Sequence, residues 1–207
     1  DCLLSRGLGD VYKRQLLATL GPVFTSIISF FQGKKTSRNV YFGLAVALFG
    51  IIIIQYGDLS LSPKNLLGNA LSLLSSFFIA VTFTTAAEIR KDTDNVSYGR
   101  TLFLIAAITI GLIATISGVS LISFQKNHIL WLLFLGLVPS ILGHNLLNYA
   151  LKYFSPTAIA SVPLGEPIIA SIFGFLIFNE SIPSGAMVSA PIILSGIFIV
   201  LKYQDSN

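Results

Sequence analysis

The stretch that decides the fold is LGEPIIASIFGFLIFNESIPSGAMVSAPIILSGIFIV, Leu164–Val200, because the chain carries a second version of it, LGPVFTSIISFFQGKKTSRNVYFGLAVALFGIIII, Leu20–Ile54. Pro22 aligns with Pro167 and, after a one-residue gap, Gly50 with Gly196. Each copy is an apolar run, a short polar turn and a second apolar run, the pattern of two membrane helices joined by a hairpin. The turns differ in charge: Lys34 and Lys35 stand in the first, Asn179 and Glu180 in the second. Basic loops mark the cytoplasmic side, so the copies are expected to turn on opposite sides of the membrane. Inverted repeats of this kind are an architecture of many secondary transporters.

The rest of the chain fits the same solvent. Of 207 residues, 54% are hydrophobic and 11% charged, and a soluble fold of this size has too little interior to hide so much apolar surface. Apolar runs predict helices near Leu16–Gln32, Val40–Tyr56, Lys64–Glu88, Thr101–Phe124, Ile129–Tyr153, Pro156–Phe178 and Ser184–Leu201, with prolines at Ser62-Pro63, Ser155-Pro156 and Pro183 placed where helices start. The fold class expected is therefore an all-α polytopic membrane protein of seven transmembrane helices, the end of a first and all of a second inverted five-helix repeat. Residues 16–57 hold the last two helices of the first repeat, residues 63–203 the second, and residues 204–207 a cytoplasmic tail. Asp1–Gln15, whose hydrophilic DVYKRQ breaks abruptly into LLATLGPVF, reads as a non-native leader. Equal halves would place roughly three more helices before Leu16.

Charge sets the orientation and excludes some partners. Lys34, Lys35, Arg38, Arg90, Lys91, Arg100, Lys152 and Lys202 fall on one side, and only Lys64 and Lys126 on the other. The first side, with the C-terminus, is expected to be cytoplasmic in a multi-pass cell-membrane protein. The net charge of +4 sits in loops without interleaved aromatics, so nucleic acid is not an expected partner. The single Cys2 excludes an intramolecular disulfide, and no cluster has metal-ligand spacing. Neither metal nor cofactor is expected.

Polar residues inside the spans locate the candidate site. Gly136, Ser140, His144, Asn148 and Lys152 recur every four residues, and His144 and Asn148 on one face in hydrocarbon are costly unless that face looks into protein or water. Glu166 shares a face with Ala170 and Gly174; its counterpart in the first copy is Gly21, followed by Thr25 and Ser29. Desolvation disfavours a charged carboxylate, which suits Glu166 to take up and release a proton in a transport cycle, with His144 as a neighbour that titrates near neutrality. The alternative is a structural acid bonded to a hydroxyl or to His144. Pro167 disfavours helical dihedrals at Glu166 and, with Pro22, marks an expected helix kink. The substrate or coupling set is thus Glu166, His144, Asn148, Ser140 and Tyr149, with no catalytic residue assigned. Gly68, Ser72, Ser76, Ala80 and Thr84 form a small-residue stripe expected to serve packing, ending at Glu88 beside Arg90 and Lys91. Trp131, Tyr41, Tyr56, Tyr153 and Tyr203 read as interface anchors, Asn69 and Asn145 as bridges between helices, and Glu180 as a helix cap.

The run GHNLLNYALKYFSPTAIASVPLGEPIIASIFGFLIFNESIPSG from Gly143, taken with the Pro22–Gly50 copy, resembles the paired repeat of the EamA-like family in the drug/metabolite transporter superfamily. A Gly followed by His, then Asn-x-Ala-Leu at Asn148, Ser155-Pro156, Glu166-Pro167 and a closing Glu180 carries the likeness, which extends over Leu16–Gln204. The resemblance implies a ten-helix fold of two inverted repeats that moves small metabolites. Lys34 stands where the first repeat of that family usually closes with Glu, and the first three helices have no counterpart here.

Three classes of function are open at this point. A secondary transporter of a small metabolite or drug-like solute, working by alternating access, is favoured. A membrane scaffold or regulatory subunit is the alternative. An intramembrane enzyme is disfavoured, because no HExxH, GxSxG or paired-aspartate motif is present. No nucleotide-binding motif appears, so an ion or solute gradient would supply the energy. The expected partners are a small-molecule solute, the bilayer and, as an open option, a second copy in a homodimer.

Overall fold

The computed structural model describes residues 19–55, 66–119, 128–179 and 184–204. The expected leader, the helix-start signals at Ser62-Pro63 and Pro183, and Tyr56, Lys64, Lys126 and Glu180 lie outside the described residues. Among those described, every regular element is helical: α1 Gly21–Phe31, α2 Arg38–Gln55, α3 Leu66–Asp92, α4 Asn95–Ile116, α5 Ile129–Leu135, α6 Asn145–Ala150, α7 Pro156–Ser161, α8 Glu166–Phe178 and α9 Ser184–Tyr203. A π-helical run, Gly136–His144, joins α5 to α6, and a 3₁₀ turn, Val162–Gly165, joins α7 to α8.

Five of the resulting rods, Leu67–Asp92, Asn95–Ile116, Ile129–Ala150, Pro156–Ile177 and Gly185–Tyr203, are long and apolar enough to cross a membrane; Gly21–Phe31 and Arg38–Ile53 are apolar but shorter. Their outer faces are what hydrocarbon would solvate. No residue of α5 is buried, and side chains such as Phe31 and Ile116 are more than four-fifths exposed.

The largest departure from expectation lies between Glu88 and Thr101, read from its charges as a loop. Instead α3 runs on to Asp92 and α4 begins at Asn95. Asp94 makes so tight a turn workable: its carboxylate accepts the backbone N–H groups of Val96 and Ser97, both at 2.9 Å, and so satisfies donors that a helix start leaves without partners.

The described residues form two compact units, one within 1–85 and 154–207 and the other within 86–153. In the first, α2 and α9 run antiparallel. Val40 and Leu44 cluster with Val200 and Ala158, and further along Ala47 and Ile51 cluster with Ile193 and Leu164. The backbones touch because glycine permits it. A Cβ on Gly196 would stand 2.5 Å from the Ala47 nitrogen and 2.7 Å from the Gly43 oxygen, and one on Gly50 would stand 2.6 Å from Ile193. Between membrane helices, where lipid is as apolar as leucine, close packing of this kind is a main source of association.

Also in the first unit, α1 lies on α7. The Ser26 and Thr157 hydroxyls meet at 3.4 Å, with Thr25 and Ser29 buried alongside. After α1 the chain reverses through Gly33 at φ 76°, and the Lys34 N–H reaches back to the Ser29 carbonyl at 3.0 Å, the bond that closes a Schellman-type end. The small-residue stripe of α3 is its buried face, with Ser76 and Ala80 fully covered and Thr84 nearly so. Ser72 and Thr84 donate their hydroxyls to the Gly68 and Ala80 carbonyls of their own helix, at 2.9 and 2.8 Å. That fits packing rather than ligand binding.

The α2–α9 contact generates a direct test. Gly196→Val should cost about 1–3 kcal/mol by overpacking and lower the thermal unfolding midpoint of the detergent-purified protein, whereas Gly111→Ala, which meets nothing within 4 Å, should leave the midpoint unchanged or slightly higher. Equal midpoints for Gly196→Val and the unmodified chain would refute the contact.

Candidate functional site

The expected site residues divide between the two units. Glu166 belongs to the first, and Ser140, His144, Asn148 and Tyr149 belong to the second.

In the second unit, buried polar groups gather where the α3–α4 turn meets α6. Arg90 is 2% exposed although it carries a charge. Its Nε donates to the Asn148 carbonyl at 3.2 Å, and its Nη1 donates to the Thr93 carbonyl, so one guanidinium ties the turn to α6. Asn95 Nδ2 donates to the Asn145 carbonyl at 3.1 Å. Gly99 makes room on α4: a Cβ there would fall 2.3 Å from Asn145 Oδ1. Three buried amide atoms are left without a hydrogen bond, namely Asn95 Oδ1, Asn145 Oδ1 and Asn148 Nδ2. Buried polar groups nearly always find a partner, so the cluster has spare capacity for two donors and one acceptor from water or a polar solute.

The four-residue polar stripe is only partly realised. Asn148 is buried, Ser140 and Gly143 are half-buried, and Gly136, His144, Tyr149 and Lys152 are exposed. The π-helical run explains this, because widening the turn changes which residues superpose along the axis. Pro139 lies within the run, and the Ser140 hydroxyl donates to the Leu135 carbonyl five residues back, at 3.0 Å. His144 stacks on Phe103 with ring centroids 6.5 Å apart. The Tyr149 and Tyr153 hydroxyls are 3.3 Å apart. Along the rod Ile129–Ala150 His144 stands between mid-span and the Ala150 end, somewhat nearer mid-span.

In the first unit, Glu166 stands at the middle of the rod Pro156–Ile177. The helix is interrupted there, but not as expected: Glu166 keeps helical dihedrals, φ −54° and ψ −44°, and the irregular turn is the 3₁₀ segment ahead of it, which contains Pro163. Pro167 and Pro22 occupy the first turns of α8 and α1, where a missing N–H costs no hydrogen bond. The two copies also use equivalent faces differently. Gly21, Thr25 and Ser29 are buried on α1, whereas Glu166 and Ala170 on α8 are exposed and Gly174 half-buried. The Glu166 backbone N–H donates to the Pro163 carbonyl, while its carboxylate has no hydrogen-bond partner within its own unit among the described residues.

Arg90 and Asn95 are the residues that sequence reasoning missed, because a run of charges reads as a solvated loop. Glu88 and Lys91 do form an exposed ion pair, at 2.8 Å, but Arg90 turns inward. Asn145 does bridge helices, through its backbone carbonyl, which accepts from Asn95 Nδ2, while its own amide donates to the Ile141 carbonyl of the same rod. Among the described residues no group of three or more His, Cys, Asp or Glu is placed to hold a metal.

Five long apolar helical rods make this a multi-pass membrane protein. The family profile described as "EamA-like transporter family" matches residues 66–202, and the chain belongs to that family. It is 23% identical to an uncharacterized transporter of Archaeoglobus fulgidus, over 93% of this chain and 68% of that protein. A second uncharacterized transporter of the same organism is 22% identical, over 91% and 66%. A chloroplastic WAT1-related protein of Arabidopsis thaliana is 23% identical, over 98% and 50%. The chain thus spans about two thirds of the length of the archaeal relatives and half of the plant one.

Two outcomes follow from the α3–α4 turn. Arg90→Gln should destabilise the protein by roughly 2 kcal/mol, since bonds from a charged donor to two carbonyls are lost; unfolding in detergent measures it, and an unchanged midpoint would refute the tie. The hydrogen bonds from Ser97, chiefly, hold the Asp94 carboxyl below the usual carboxylate range, with the Val96 N–H and the Arg90 charge assisting. A depressed native value means the cap stabilises fully above the unfolded-state value and is lost as pH falls through the native one. Stability of the unmodified protein should therefore drop below about pH 4 more steeply than that of Asp94→Asn; parallel pH profiles would exclude the cap as the cause.

Proposed function

We propose that this protein is a secondary transporter that moves a small metabolite or drug-like solute across the cytoplasmic membrane by alternating access, coupled to protons through Glu166. Membership of the EamA-like transporter family is the observation that carries the reading. The expectation that the chain is not an enzyme fits relatives named as transporters.

In this reading the chain contributes seven spans, two to the end of a first repeat and five to a second of opposite orientation, with the C-terminus cytoplasmic. The antiparallel course of α2 and α9 supports the inversion, since these are the final helices of the two copies. So does the pairing of their small residues. The alignment that sets Gly50 over Gly196 sets Ala47 over Ile193, and the contacts of Gly196 with Ala47 and of Gly50 with Ile193 exchange under it, as a two-fold axis between the copies requires.

Glu166 then acts as the proton carrier: mid-rod, on an open face of small residues, preceded by an irregular turn. Irregular backbone at mid-depth is where transporters place substrate sites. His144, Asn148, Ser140 and Tyr149 line the solute's path, and Asn148 supports this best, because its buried Nδ2 lacks an acceptor that a solute oxygen would provide.

Protein reconstituted in liposomes tests the reading. Counterflow of a labelled solute is expected, with the scaffold alternative predicting none and an enzyme predicting turnover of a lipid or peptide instead. Glu166→Gln should abolish proton-driven accumulation while leaving folding intact; pH-dependent uptake persisting in that variant would overturn the coupling role. His144→Ala should weaken binding or shift its pH profile, and an unchanged profile would remove His144 from the path.

A further inference from the structure

Asn145 and Asn148 stand one turn apart on α6, and Asn95 and Gly99 one turn apart on α4. Asn145 meets both residues of α4: its carbonyl accepts from Asn95 Nδ2 at 3.1 Å, and its Oδ1 occupies the space that a Cβ on Gly99 would fill. Toward α3, the Asn148 carbonyl accepts from Arg90 Nε at 3.2 Å. Arg90 therefore sets a positive charge at the edge of the amides.

The bonds already made decide what the spare atoms are. Asn95 Nδ2 is committed to the Asn145 carbonyl and Asn145 Nδ2 to the Ile141 carbonyl at 2.8 Å, so neither amide can be turned over, and both unpartnered Oδ1 atoms are acceptors. Asn148 is 4% exposed, and its unpartnered Nδ2 is a donor. All three atoms are already covered, so their lack of partners does not depend on any chain before Leu16. What they complement is a group with two hydrogens to give and one to receive.

We propose that the Asn95–Asn145–Asn148 cluster recognises a primary carboxamide on the transported solute, its N–H₂ donating to the two Oδ1 atoms and its oxygen accepting from Asn148 Nδ2. This rests on the reading that Asn148 lines the solute's path, with the helix movements of alternating access admitting the group. A carboxylate of the same shape brings no hydrogen for either Oδ1. An amidinium brings no acceptor for Nδ2 and sets its charge beside the Arg90 guanidinium. Each mismatch leaves covered polar atoms unpaired, which is the error a hydrogen-bonding site rejects most strongly. Water, with two hydrogens and an accepting oxygen, is the competing occupant.

Benzamide, benzoate and benzamidine are planar probes of one shape that are neutral, anionic and cationic at neutral pH. Equilibrium dialysis of the labelled probes against the detergent-purified chain, with binding to empty micelles subtracted, tests the assignment. Benzamide is expected to bind about tenfold or more tighter than either ion. Asn148→Leu should weaken benzamide about tenfold without lowering the thermal unfolding midpoint, since Nδ2 gives up no bond. Gly99→Ala, which presses on Asn145 Oδ1 and removes no amide, should weaken it as well. Equal or tighter binding of benzoate or benzamidine would overturn the proposal, as would a benzamide affinity that survives Asn148→Leu. Binding of none of the three would assign the cluster to water only and overturn it too. Counterflow of another labelled solute by a chain that binds none of the probes would leave the transport reading standing; selective benzamide binding without any counterflow would sink that reading and leave the cluster a carboxamide site.

Discussion

The contact on which the first unit depends is the meeting of α2 and α9 at Gly43, Ala47 and Gly196. Helix association in hydrocarbon gains nothing from expelling water, so it rests on how closely two backbones approach. Here a single added methyl group at Gly196 would collide with backbone atoms on the facing helix. The same contact sets the register of the clusters on either side: Val40, Leu44 and Val200 toward one end, Ile51, Leu164 and Ile193 toward the other. Leu164 belongs to the 3₁₀ turn ahead of Glu166, so the packing that fixes the two helices also fixes the irregular segment that presents the carboxylate.

Much of this was legible in the sequence for a physical reason. Membrane helices advertise themselves by length and hydropathy, and Gly50 and Gly196 match by alignment of the two copies because close helix crossings tolerate few residue types. The small-residue stripe of α3 was readable on the same ground, and its buried positions Ser76, Ala80 and Thr84 are those its four-residue spacing singled out. The α3–α4 turn was not legible. Charges from Glu88 to Arg100 look like solvent-facing loop residues, and only the bonds to Asp94 and the inward turn of Arg90 show that they cap and fasten helices. The polar stripe was half legible, because its spacing presumes an α-helix and the π-helical run from Gly136 to His144 violates that premise. No pattern in a single sequence announces such a run, although Pro139 inside an apolar stretch is the residue that disturbs the ordinary bonding.

The two polar centres differ in kind. Around Arg90 the groups are neutral amides and one guanidinium whose bonds are mostly committed to backbone carbonyls, with three amide atoms left over. Around Glu166 there is one ionisable group. The first arrangement is bonded chiefly to backbone carbonyls with three amide atoms spare, and the second is a carboxylate without a partner within its unit among the described residues.

Because Ser72 and Thr84 turn their hydroxyl hydrogens onto carbonyls of their own helix, the covered side of α3 offers a neighbour small, chemically mute relief at those positions. Axial slippage there would break no polar bond from either hydroxyl, and would cost only the mismatch of bumps and hollows. At those two turns the surface is a bearing and not a latch.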